Sequence, residues 1–127
     1  MKINIFGIIM LLLFSCSSGT SPDQENEFTI KYGKTISAGN IYIQFDELAE
    51  DSRCAIGVEC VWEGNAEVDL RINSGGEWIN YSINTTLDPR LIVIEGYQLE
   101  LVSVSPYPVY ADTVAIEDYE IKVALIK

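Results

Sequence analysis

Ala66-Glu67-Val68-Asp69-Leu70-Arg71-Ile72-Asn73 leads through Ser74-Gly75-Gly76-Glu77 into Trp78-Ile79-Asn80-Tyr81-Ser82-Ile83-Asn84. In the first run, apolar residues at 66, 68, 70 and 72 alternate with Glu67, Asp69 and Arg71. Successive side chains of a strand point to opposite faces, so this period of two predicts a strand with one buried and one wet face. Gly75-Gly76 supplies the backbone freedom of a tight hairpin turn. In the second run the same period places Ile79, Tyr81 and Ile83 on the buried face and leaves Trp78 out of phase, either packed beneath a loop or on the second sheet, or exposed as a binding aromatic.

Outward from this hairpin the pattern repeats. Phe28/Ile30/Tyr32, Ile41/Ile43/Phe45, Tyr97/Leu99/Leu101 and Tyr119/Ile121/Val123/Leu125 alternate with polar neighbours. Leu91-Ile92-Val93-Ile94 is continuously apolar and reads as a strand buried on both faces. Ala38-Gly39-Asn40, Asp88-Pro89 and Glu95-Gly96 mark turns, and Pro106-Tyr107-Pro108 an extended, stiff connection. No segment has a helical period beyond one turn at 48–52. The expectation is all-β: an antiparallel β-sandwich, immunoglobulin-like, of seven or eight strands, with a small β-barrel as the alternative.

The N-terminus carries a different signal. Met1-Lys2 is basic, residues 3–14 are almost wholly apolar, and Ser15-Cys16 leads into Ser17-Ser18-Gly19-Thr20-Ser21-Pro22. A basic start, a short apolar run and a small residue before the cut describe a secretory signal, and the run is too short to span about 30 Å of hydrocarbon. Leu13-Phe14-Ser15-Cys16 resembles the bacterial lipobox, in which the cysteine after the cut carries diacylglycerol. That resemblance implies residues 1–15 as a lipoprotein signal, Cys16 as the lipidated residue, 16–27 as anchor and tether, and 28–127 as one domain. It places the domain in the envelope of a Gram-negative bacterium, held to the outer membrane and facing the periplasm or the outside. The tether, rich in Ser, Gly and acid, spans on the order of 18 Å root-mean-square.

Charge and cysteine count narrow the function. The chain has 19 Asp+Glu against 8 Lys+Arg, a net −11. Such a surface repels nucleic acid and anionic lipid, so the Cys16 lipid must supply the membrane attraction. With Cys16 assigned to lipid, Cys54 and Cys60 remain as an even pair in an oxidising compartment, and a disulfide follows. The spacing is not C-x-x-C, and there is no histidine. A thioredoxin-like site, a zinc centre and a Ser-His-Asp triad are therefore disfavoured or excluded. Asp46, Glu47, Glu50 and Asp51 offer clustered oxygens for calcium, but at no EF-hand spacing, and a solvated edge is the preferred reading. No metal and no cofactor are expected. Asp112-Thr113-Val114 resembles an O-glycosylation acceptor of Bacteroidota.

The densest stretch is Asp51-Ser52-Arg53-Cys54, followed by Val58, Cys60, Trp62, Gly64 and Ala66. With Pro106-Tyr107-Pro108 and Asp118-Tyr119, it resembles small exported lipoproteins of Bacteroidota type that carry D-S-R-C-P-x-x-V-x-C-x-W-x-G. Ala55 stands where that pattern has proline. The resemblance implies an exported β domain with a Cys54–Cys60 bridge and assigns no catalytic residue. Physically, Arg53 has Asp51 or Glu50 within reach, Trp62 suits a cap on the core beside the bridge, and Gly64 suits a turn or bulge. Arg53, Trp62 and Trp78 are the candidate binding residues, for a protein or glycan partner. The expectation is a lipid-anchored, non-catalytic protein that binds or supports. A small carboxylate-dependent hydrolase and a protease-inhibitor-like module presenting the Cys54–Cys60 loop are the alternatives.

Overall fold

The computed structural model describes residues 25–127; the signal segment, Cys16 and most of the tether lie outside the described residues. Among the described residues there are eight strands: β1 (Asn26–Lys31), β2 (Thr35–Ala38), β3 (Ile41–Asp51), β4 (Ala66–Asn73), β5 (Trp78–Asn84), β6 (Leu91–Ile94), β7 (Tyr97–Ser105) and β8 (Glu120–Ile126). They form two four-stranded antiparallel sheets, ordered β1-β8-β7-β6 and β2-β3-β4-β5. Neither sheet closes on itself, so the fold is a β-sandwich and not a barrel. The immunoglobulin order, with strands A, B, E and D in one sheet, is not present. The short links at 39–40, 74–77 and 95–96 keep consecutive strands adjacent, so β2-β3-β4-β5 and β6-β7-β8 are meanders, and β1 joins the latter by pairing with β8.

The alternating runs build the core. β4 buries Ala66, Val68, Leu70 and Ile72 while Glu67, Asp69 and Arg71 face outward. Ile41, Ile43 and Phe45 of β3 and Leu99, Leu101, Ile121 and Val123 of β7 and β8 meet them from both sheets. Each fully buried aliphatic side chain contributes about 1.5–3 kcal/mol relative to its exposed state. The β6–β7 turn has positive φ at both Glu95 (49°) and Gly96 (80°), the geometry that matches the twist of a hairpin. β1 begins at Asn26, paired with Leu125 of β8.

Two burial expectations are corrected. Leu91 and Val93 are exposed rather than buried, because β6 is a four-residue edge strand covered on one face only. Ile79 is also exposed, although it shares the inward phase of Tyr81 and Ile83. β6, the edge of the opposing sheet beside β5, is too short to cover it.

Three irregularities interrupt the ladders, between Phe45 and Glu47, between Leu48 and Glu50, and between Leu101 and Ser103. Each inserts an unpaired residue and re-aims the chain beyond it. The two in β3 set the direction in which Asp51 and the loop after it leave the sheet.

Candidate functional site

Beyond Asp51 the chain runs back to β4 as an irregular extension of the β3–β4 hairpin. Ser52 N donates to Asn65 O at 2.7 Å, and Cys54 N donates to Glu63 O at 2.8 Å. Gly64 sits in this crossing with φ +77°; a Cβ there would collide with the Ser52 carbonyl oxygen and lie 2.6 Å from Arg53 Cα. Here glycine is required both for its backbone angle and for the space. Cys54 and Cys60 are bonded and close the tip of the loop. The tip is tied to the β7–β8 connection by a parallel bridge: Ile56 N donates to Pro108 O, and Tyr110 N donates to Ile56 O, both at 2.9 Å.

Arg53 locks this end to the other sheet. Its Nε donates to Asp51 Oδ1 and its Nη2 to Asp51 Oδ2, both at 2.8 Å, a bidentate fork. Nη1 donates to the Val104 carbonyl of β7, and Nη2 also donates to Pro106 O at 3.1 Å. The guanidinium lies 4.8 Å from the centre of the Tyr107 ring. The Arg53 side chain is only 6% exposed. Asp51 also accepts from Tyr119 OH at 3.5 Å. Burial, above all, holds the Tyr119 phenol above its ordinary pKa; the Asp51 charge and hydrogen bond add to this, and Arg53 opposes it.

Beneath the loop, Asn65 is buried and makes three side-chain hydrogen bonds. Its Nδ2 donates to Asn84 Oδ1 at 2.9 Å, and its Oδ1 accepts from Thr86 N and Leu87 N. Asn84 in turn donates to Pro89 O. This network fixes the β5–β6 connection under the same end of the sandwich. A groove of about 270 Å³, lined among others by Arg53, Glu63, Thr86, Ser103 and Tyr107, runs along it.

The framework turns polar groups inward and apolar groups outward. Val61 is fully exposed, Trp62 is 52% exposed, and Ile56, Val58 and Tyr110 also face solvent. Trp62 therefore does not cap the core. It lies past the last backbone pair, Cys54–Glu63, where the loop projects beyond both sheets. Arg53 is likewise no open ligand: its charge is committed to Asp51. Trp78 is exposed, with the Arg71 guanidinium 5.5 Å from its ring centre. It pairs with Asn73 at the opposite end of β4 from Ala66, roughly 24 Å from the loop base at strand spacing, so it does not share a site with Trp62.

Of the clustered acids, Asp51 is committed to Arg53 and Asp46 is an outward, unpaired residue of a bulge. Among the described residues no three acidic or cysteine side chains converge so as to hold a metal ion. Val61 and Ile56 as surface groups, and Asn65 and Asn84 as a buried pair, were not legible in the sequence. The first two lie in an aperiodic run. For Asn65, the preceding glycine was the available signal of a constrained crossing.

No protein-family model, curated protein or solved structure matches the chain.

Proposed function

We propose that this protein is a lipid-anchored recognition domain of the bacterial cell envelope, held to the outer membrane through Cys16, which binds a partner non-catalytically with the loop end of its sandwich. The observation that carries the reading is the exposed apolar set Ile56, Val58, Val61, Trp62 and Tyr110 on a loop pair braced by a disulfide, a parallel bridge and a buried arginine. Isolated exposed apolar residues need no explanation, but five of them on one braced loop pair suit an interface. The brace removes much of the ordering cost that a mobile loop incurs on binding. Exposed Trp and Tyr are the side chains that most often anchor such contacts. The non-catalytic part of the reading is supported by the commitment of Asp51 to Arg53, which leaves that carboxylate no free role.

A photo-reactive amino acid at position 61, with position 34 as an exposed control on the β1–β2 turn, tests this in intact cells. The reading expects a discrete adduct from 61, absent from 34 and lost when Trp62→Ala is added to a chain that stays folded. No adduct at 61, or equal adducts at both positions, contradicts it. Intact mass of the membrane-extracted protein tests the anchor: a triacylated Cys16 is expected, and an unlipidated mass refutes it.

A further inference from the structure

On a different face, the β5 edge has hydrogen-bonding groups with no partner. Thr85 N donates to Ala66 O of β4, whereas Asn84 N donates away from β4, to Pro89 O. Backbone groups of successive strand residues alternate in direction, so Trp78, Asn80 and Ser82 also direct their N–H and C=O away from β4. Among the described residues, no hydrogen bond outside the β4 pairing engages them. All three residues are exposed.

The remaining edges carry the usual safeguards and β5 does not. β2 and β6 are four residues long, and β1 carries Glu27 and Lys31, with Glu27 4.0 Å from Lys122. β5 runs seven residues, Trp-Ile-Asn-Tyr-Ser-Ile-Asn, with no charge, no proline and no register shift. A long, regular, uncharged edge is a template for another strand.

We infer that β5 pairs antiparallel with β5 of a second copy, in a two-fold register centred on Asn80. That register sets Asn80 opposite the partner copy's same position and Trp78 opposite Ser82. Every outward N–H and C=O of the three residues then meets a complement, six bonds in all, and Asn84, already bonded, is not needed. The same register lays Ile79 of each copy against Tyr81 of the other. This aliphatic–aromatic pair covers the inward-phase isoleucine that the sandwich leaves 46% exposed. In a chain of net charge −11, it brings the copies together without placing a carboxylate in the ladder. The two four-stranded sheets become one of eight strands, a closed isologous contact.

Cysteine scanning of the full chain in detergent tests the register, with the unsubstituted chain as control for Cys16. Residues opposite one another in such a ladder have Cα atoms about 5.5 Å apart, within disulfide reach. Asn80→Cys should form a covalent dimer under mild oxidation. Ser82→Cys alone should not, but should cross-link to Trp78→Cys when the two variants are mixed. Sedimentation of the full chain should show a dimer, and Asn80→Lys, at an exposed position, should raise its Kd by about two- to fivefold by opposing two like charges, with the circular dichroism unchanged. A monomer at all concentrations assigns the edge to an extended segment of another protein and overturns the inference. Equal cross-linking at 80 and 82, or a dimer indifferent to Asn80→Lys, overturns it too.

Discussion

Replacing Arg53 by methionine removes the fork to Asp51, the bonds to the Val104 and Pro106 carbonyls and the stacking on Tyr107, while keeping much of the side-chain volume. Asp51, whose side chain is 12% exposed, is left a nearly buried carboxylate whose remaining donors are the backbone N–H of residue 53 at 3.3 Å and the Tyr119 hydroxyl at 3.5 Å, with no cation beside it. Removing one partner of a buried ion pair costs about 3–5 kcal/mol, chiefly because the other charge is stranded. Against a domain stability of about 5–15 kcal/mol this is a large fraction. The same charge pair fixes the behaviour of the double variant. With Asp51→Leu added, no charge is stranded, so the pair should be less destabilised than the sum of the single changes, with a coupling of about 2 kcal/mol or more. Urea unfolding followed by tryptophan fluorescence measures all three. A loss below about 1 kcal/mol for Arg53→Met, or strict additivity, would refute the view that Arg53 clamps the two sheets through a buried charge pair.

Other consequences follow from the same geometry. Gly64→Ala should cost on the order of 3 kcal/mol from positive-φ strain and overpacking together, read as a fall in urea midpoint, whereas Gly39→Ala, which meets no atom within 4 Å, should cost less. Reducing the Cys54–Cys60 bridge should lower stability by roughly 2–2.5 kcal/mol, the chain-entropy value for a seven-residue loop, and alkylation after reduction should hold that loss. Tyr119 titrates above the ordinary tyrosine range, so its folded pKa exceeds its unfolded one. Its contribution to stability is full below about pH 10 and is lost as pH rises through the folded value. Phenolate absorbance should show one tyrosine titrating late, and Asp51→Asn should bring it down.

What the sequence made legible was whatever depends on local period and local covalent limits. The alternation in β4 fixes its buried face, because one residue of slip would invert every side chain. The Glu95-Gly96 turn and the cysteine pair are equally local. Arg53 and Asp51 are two apart on an extended chain, so their side chains lie on one face, and the pairing was within reach of inspection. Exposure of Leu91, Val93 and Ile79 was not, because burial of a strand's second face depends on whether another element covers it, and β6 lies at an edge. The position of Trp62 was lost for a similar reason: nothing local records that the chain leaves both sheets after Cys54 and rejoins the hairpin only at Glu63. The buried Asn65–Asn84 pair joins residues 19 apart through two loops, a proximity that only the closed sandwich creates.

The central claim is that the loop end is a fixed frame presenting apolar groups to water. Hydrogen exchange on the oxidised protein tests this through the amides of Cys54, Ile56 and Tyr110, which donate to Glu63, Pro108 and Ile56. If the frame holds, these three exchange slowly, at least about a hundredfold below the rate of an unprotected chain, and Arg53→Met speeds them together. Exchange of all three at the unprotected rate in the oxidised wild-type protein would contradict the account.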